Sequence, residues 1–289
     1  MKTSFLCVSC FFRQGEFLSD LCKLPLSKKE KFLRDITKRL LTYDFNNPPV
    51  VFGRYIYKRF SQISKIKDPF KKEKNKIECS IKSIVKELEA FVDRNRFPLY
   101  FSAKLSCLGN AIDFGRGEFP NLVLLKRKVR GVYFKINHFK VFRQKLRKSK
   151  TVLILADNVG ETFFDRIFLK EIKKFRSSLN LFYATRSSPI INDAQLSDAY
   201  KAGIDNFAKV ISTGCDYPGV ILDKTSSNFK RVYKRADLII AKGQGNFESF
   251  TSRKDTFYLF QVKCPPVSKY LSVPLGSFVF FYNRKISLK

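Results

Sequence analysis

The run Leu153-Ile154-Leu155-Ala156-Asp157-Asn158-Val159-Gly160-Glu161 decides how this chain folds. An apolar stretch stops abruptly at a carboxylate and an amide. Beyond the Gly-Glu pair, Phe164, Ile167, Phe168, Ile172 and Phe175 recur on one helical face. Apolar run, short polar turn and amphipathic helix form the pattern of a central strand in an α/β sheet handing over to its helix. Ligands of such sheets bind outside the carboxyl ends of the strands, where Asp157 and Asn158 fall.

Working outward toward the C-terminus, the pattern repeats. Residues 181–184 run into a long turn reaching Asn192-Asp193, residues 210–211 into Ser212-Thr213-Gly214, and residues 238–241 into Lys242-Gly243. Helical periodicity lies between these runs, and residues 257–262 and 277–282 supply two more apolar stretches. The alternation predicts a three-layer α/β/α domain with a largely parallel sheet over residues 151–289. Upstream, the chain reads as helical. Helices are expected over 7–14, 28–41 and 50–63, the last after the break at Asn47-Pro48-Pro49. Asp68-Pro69-Phe70 opens a long helical segment to Val92, and another spans 99–111. Asp113-Phe114-Gly115 leads into a basic connector over 126–150, so residues 1–150 are expected to form a helical cap region plus this connector.

A chain of 289 residues can bury a large core, and no stretch of about 18 uncharged apolar residues suggests a membrane span. The first residues reach Arg13 and Glu16 too soon for a signal peptide, so a cytoplasmic location is expected. Seven scattered cysteines fit reduced thiols better than a disulfide framework. The formal charge of +31 would attract polyanions, nucleic acid above all. It is unevenly spread: residues 101–150 hold 13 Lys and Arg against Asp113 and Glu118, whereas residues 151–200 hold six of each sign. The basic excess lies mostly outside the stretch with the best chemistry.

Asp157 and Asn158 present hard oxygen donors suited to Mg²⁺, Mn²⁺ or a similar ion. The bland alternative is specific, because Asn158 with Glu161 three residues on resembles a capping box. Asp193 carries the same ambiguity between helix cap and second carboxylate of one pocket. The run Lys242-Gly243-Gln244-Gly245-Asn246-Phe247-Glu248 offers glycines for close backbone approach and a compact cation suited to phosphate. It is not a Walker loop, and no strand leads into G-x-G-x-x-G. Ser212 and Gly214 read equally as turn residues or pocket lining. Cys7 and Cys10 form one C-x-x-C pair without a second, which does not complete a zinc site. His138 is the sole histidine, which argues against His-based triads and His-rich metal sites.

Taken in order, these motifs resemble the damage-control phosphatase family, in its short prokaryotic branch with an N-terminal CxxC. The resemblance rests on Cys7-Val8-Ser9-Cys10 with Arg13-Gln14, Pro48-Pro49 with Gly53-Arg54, and Asp68-Pro69-Phe70-Lys71. It continues through Gly109-Asn110-Ala111-Ile112-Asp113-Phe114-Gly115, the Asp157-Asn158 turn with Glu161 and Asp165, and Ile190-Ile191-Asn192-Asp193-Ala194. Ser212-Thr213-Gly214 with Asp216, Pro218 and Gly219, and the stretch from Ala236 to Glu248, complete it. Gln195, Cys215 and Tyr217 depart from the family's usual residues, and a Tyr at the pocket rim would narrow substrate choice.

The resemblance implies a helical N-terminal region on an α/β/α domain and a divalent ion (Mn, Co, Ni or Mg) held by Asp157, Asn158 and Asp193. Lys242, Gly243 and Asn246 would bind substrate phosphate. Asn110, Asp113, Glu161, Asp165, Ser212 and Gly214 would line the pocket or orient the ligands. The implied activity is hydrolysis of small phosphate monoesters: sugar phosphates or phosphorylated, damaged metabolites. Two other readings compete. One is a nucleic-acid-binding protein using its basic surface, with a structural or vestigial metal site, although no aromatic RNA-recognition pattern is visible. The other is a methyltransferase, disfavoured by the missing glycine-rich turn after the first strand.

Overall fold

The computed structural model describes residues 1–109, 122–250 and 255–283. Asn110 and Asp113, expected to line the pocket, lie outside these residues. Among the described residues, three N-terminal helices come first: α1 (Leu6–Leu21), α2 (Leu26–Leu41) and α3 (Pro49–Ser64). Pro48-Pro49 starts α3, because a proline in the first turn forfeits no helical N–H bond and fixes φ near the helical value. These helices close on their own cluster of Phe11, Leu18, Phe32, Ile36, Phe52 and Phe60, which Ile190 joins from the C-terminal half. That contact lays the N-terminal helices against the turn that carries Asp193.

Helices α4 (Lys71–Lys82), α5 (Val85–Asp93), α6 (Pro98–Gly109) and α7 (Leu122–Gly131) follow. The long helix expected from Asp68 to Val92 is broken at Ser83-Ile84 into α4 and α5. The stretch expected as a basic connector holds strand β1 (Phe134–Asn137) and helix α8 (Phe139–Lys148). Then come β2 (Thr151–Leu155), α9 (Val159–Phe175), β3 (Asn180–Thr185), α10 (Leu196–Lys201), β4 (Lys209–Ser212), α11 (Ser227–Arg235), β5 (Leu238–Lys242), α12 (Gly243–Ser249), β6 (Thr256–Gln261), α13 (Pro265–Leu271) and β7 (Phe278–Asn283).

The strands form one seven-stranded sheet in the order β1-β7-β6-β5-β2-β3-β4. All neighbouring pairs are parallel except β6 and β7. The α/β class with a largely parallel sheet therefore stands as expected. Strand residues alternate between two cores. Val152, Ile154, Leu238 and Ile240 face a cluster with Leu105, Phe164 and Phe168, whereas Leu153, Leu155, Ile239 and Ala241 face one with Phe229, Phe247 and Val267. Burying each of the Val, Leu, Ile and Phe side chains among them contributes about 1.5–3 kcal/mol. From β2 the chain steps outward to β3 and β4, then returns to β5 on the other side of β2. The order thus reverses between β2 and β5, so their carboxyl ends form the switch point at which sheets of this kind have their ligand crevice. Asp157 follows one of these strands and Gly243 the other. No helix among the described residues is long and apolar enough to cross a membrane.

Candidate active site

Backbone pairing assembles the site. Beyond β2, Ala156 N–H continues the ladder to Ala184 O at 2.9 Å. Asn158 and Asp193 then form an antiparallel bridge. Val159 N–H donates to Asn192 O at 2.9 Å and Ala194 N–H to Asp157 O at 2.7 Å. Segments 157–159 and 192–194 are thereby locked side by side, bringing Asp157, Asn158 and Asp193 together. The turn that presents Asp193 includes Ile191 at φ +46°, a strained backbone for a β-branched residue.

Both carboxylates are buried, and the guanidinium of Arg186 lies between them. Arg186 follows β3 and is 1 % exposed. Its Nε donates to Asp193 Oδ2 at 2.7 Å, its Nη2 donates to Asn246 Oδ1 at 3.3 Å, and Nη2 stands 3.9 Å from Asp157 Oδ1. Its Nη1 is buried without a hydrogen-bond partner. Burial first, then the charge of Asp193, pushes the Asp157 carboxyl up to about 6 against the pull of Arg186. Burial likewise raises Asp193, while Arg186 opposes it.

Asn158 occupies the cap position of α9, yet its side chain makes no capping bond to the helix backbone. Its Nδ2 instead donates to Glu161 Oε1 at 3.0 Å and Asp157 Oδ2 at 3.2 Å. Holding the NH₂ on two carboxylates aims its carbonyl oxygen elsewhere, as a ligand oxygen requires. Asp193 is not a cap either, because α10 is capped by Gln195 in a reciprocal pair with Asp198. The residue that departs from the family pattern thus has a local structural task.

Lys242 takes a different first duty from open phosphate binding. Fully buried, its Nζ donates to Glu161 Oε2 and Asp165 Oδ1, each at 2.7 Å, and to Ser106 O at 3.2 Å. An ammonium has three N–H donors, and all three have acceptors here. Asp165 also accepts from Ser106 Oγ at 2.6 Å and Tyr183 Oη at 2.7 Å. Burial opposes the charge of Lys242, but Asp165 and Glu161 outweigh it and its pKa rises. Burial pushes Glu161 up to about 7 against the attraction of Lys242. Lys242 therefore reaches the crevice through Glu161, which in turn holds Asn158.

Gly243 has φ +78°, and a Cβ there would lie 1.9 Å from Asp157 Oδ2, so only glycine lets this carboxylate lie against the chain. Asn246 is also fully engaged: its Nδ2 donates to Lys242 O at 2.6 Å and Ala156 O at 3.1 Å. Its Oδ1 accepts from Val220 N–H at 3.0 Å besides Arg186. One amide thus ties β2, β5, the 213–221 loop and Arg186 together. Ser212 Oγ accepts from Gly214 N–H at 3.1 Å, and Gly214 has φ +70°. This is a turn at the end of edge strand β4, closed by its own local hydrogen bond.

The donor set fits a hard divalent ion: two carboxylates and one oriented amide oxygen. Among the described residues, no three His, Cys, Asp or Glu side chains come together as a ligand group, so the amide is integral to any such site. Arg186 is the participant that strand-and-turn reading misses. Its signal is the one that marks Asp157, a charged residue directly after a buried strand.

The geometry defines an α/β protein with a buried acidic site at its topological switch point. Comparison with known proteins gives the family. A model of the damage-control phosphatase ARMT1-like domain matches residues 3–279. A damage-control phosphatase of Pyrococcus horikoshii is 31% identical over 98% of this chain and 99% of its own length. One from Archaeoglobus fulgidus is 30% identical over 96% and 98%. The crystal structure of a DUF89 family protein from Pyrococcus horikoshii aligns with a TM-score of 0.90 and 29% identity, over 98% of this chain and 100% of that one. The chain belongs to the ARMT1-like damage-control phosphatase family, and it is an enzyme of the phosphatase class.

Proposed function

We propose that the chain hydrolyses small phosphate monoesters, sugar phosphates or phosphorylated and damaged metabolites, with a divalent ion held by Asp157, Asn158 and Asp193. The observation that supports this reading is the pairing of segments 157–159 and 192–194, which brings two buried carboxylates and an amide side by side. A bound ion would supply a Lewis acid that polarises a phosphoryl oxygen and activates the attacking water. The residues provide the rest. Glu161, fixed by Lys242, turns the oxygen of Asn158 away from its carboxylate neighbours. Arg186 fixes Asp193, and its buried, unpartnered Nη1 is a donor suited to a phosphoryl oxygen. Lys242 must release one of its three acceptors to touch phosphate. Its place in the reaction is to position Glu161 and to add positive potential.

The test is a panel of phosphate monoesters assayed with Mg²⁺, Mn²⁺, Co²⁺ and Ni²⁺ for the wild type and Asp157→Ala. The expected result is turnover that a chelator removes and that Asp157→Ala lowers by at least about 10²-fold. Turnover that survives chelation, or is equal in the two proteins, refutes the metal mechanism.

A further inference from the structure

Across the 213–221 loop from Asn246, a second concavity lies between that loop and helices α2 and α3. It encloses about 340 Å³ and is lined by Arg39, Arg54, Lys58 and Arg59 together with Tyr55 and Tyr217. Two acids answer these four cations. Asp216 accepts from Arg54 Nε at 2.6 Å and lies 3.3 Å from Lys58 Nζ, and Asp35 lies 2.7 Å from Arg59 Nη2. Arg39 has no carboxylate partner among the described residues. It donates to Thr42 Oγ1 at 3.3 Å and rests 5.9 Å from the centre of the Tyr55 ring. Arg54 lies 4.6 Å from the centre of the Tyr217 ring. The cavity therefore keeps two positive charges in surplus, and both Arg39 and Lys58 are exposed.

We infer that this cavity is a ligand site separate from the carboxylate crevice, and that it takes a small organic phosphate. Its volume falls in the range of about 300–1,000 Å³ typical of small-molecule pockets. A guanidinium held near an aromatic ring is suited to meeting a planar or phosphorylated ligand, because its N–H donors lie in one plane. The phosphate would sit between Arg39 and Lys58, and the remaining body would lie against Tyr55 and Tyr217. The general lysine richness of the chain accounts for solvated charge. It does not account for three arginines and a lysine converging on a hollow walled by tyrosines. The hollow shape favours a small molecule over a polymer, which would use an open stripe. The loop that forms one wall is joined to the crevice, because Ser187 N–H donates to Cys215 O at 3.2 Å next to Arg186.

The experiment is calorimetric titration of the full chain with adenosine monophosphate, ribose 5-phosphate and inorganic phosphate, without added divalent ion. Wild type, Asp157→Ala, Lys58→Gln and the double variant Arg39→Ala/Lys58→Ala are compared. Both replaced basic side chains are exposed, so the fold should persist, which far-UV circular dichroism checks. The expected result is one-to-one binding of at least one organic phosphate, tighter than inorganic phosphate, in wild type and Asp157→Ala alike. Lys58→Gln should weaken it, and the double variant should weaken it at least tenfold. Equal affinity in the double variant overturns the inference, as does binding lost in Asp157→Ala alone, which would assign it to the crevice. Absence of binding by either organic phosphate overturns it too. Salt-steep binding of single-stranded RNA in place of these ligands would give the face to nucleic acid.

Discussion

Arg186 and Lys242 divide the work of keeping carboxylates inside this protein. Each is an almost wholly buried cation set between two acids: Asp157 and Asp193, from different segments, for one, and Glu161 and Asp165, one turn apart on α9, for the other. Removing one partner of a buried ion pair costs far more than the pair itself contributes, because the remaining charge has lost its water. Lys242→Met should accordingly destabilise the fold by about 3–5 kcal/mol in denaturant unfolding, with part of the loss recovered when Glu161→Gln is added. Equal stability of Lys242→Met and wild type would show that the triad is not ionised. Gly243→Ala brings a methyl group onto Asp157, so phosphatase turnover should fall about 10²-fold or more, on the scale of a 1 Å displacement of a reacting group. Unchanged turnover would remove Asp157 from the reaction. At this scale the sequence was legible in part. Asp157, Asn158 and Asp193 can be found because each follows a buried strand or its turn. The direction in which Lys242 points could not be found, since its partner Glu161 lies 81 residues away and only the β2–β5 pairing brings them together.

Elements matter here chiefly through α9, which carries Glu161 and Asp165 and packs closely on α6. A Cβ on Gly109 would stand 2.7 Å from Phe164 Cδ2 and 3.1 Å from Glu161 Cγ, so this glycine sets how near the helices come. A strap of ions joins α5 to the outer side of α9: Glu89 to Arg166 and Lys170, and Asp93 to Lys170 and Lys174. Burial works against ionisation of both acids, but hydrogen bonds from Lys170 and Arg166 to Glu89, and from Lys174 and Lys170 to Asp93, outweigh it. Both pKa values are held below the ordinary 4.5 and 3.8. Groups with depressed folded pKa values stabilise above their unfolded values and lose that contribution as pH falls through the folded ones. Denaturation midpoints should therefore fall between pH 5 and pH 3, and the fall should flatten in Glu89→Gln/Asp93→Asn. An identical acid profile in the double variant would show that the strap contributes nothing. Strand β1 and the break between α4 and α5 were not legible. Phe-Lys-Ile-Asn is too short to show a period, and its strand state depends on pairing with β7, more than 140 residues on. The strands from β2 onward were legible because a parallel sheet covered on both faces makes each one a continuous apolar run.

For the molecule as a whole, the fold makes one crevice out of distant stretches of chain and leaves most of the +31 charge elsewhere. Strands β2 and β5, at the centre of the sheet, are buried against clusters on both sides, so the middle of the sheet presents no open face to nucleic acid. Three-layer architecture and family were readable from the order of motifs, whereas the pairing of Arg186 with the carboxylates was not, because it arises only when β3 lies beside β2. The central claim is that Asp157, Asn158 and Asp193 hold one divalent ion. Electron paramagnetic resonance of Mn²⁺ titrated into the purified chain tests it without reference to any substrate. The account predicts one bound Mn²⁺ per chain in the wild type and loss of that site in Asp193→Asn. A Mn²⁺ site of the same affinity in both proteins, or none in the wild type, would contradict it.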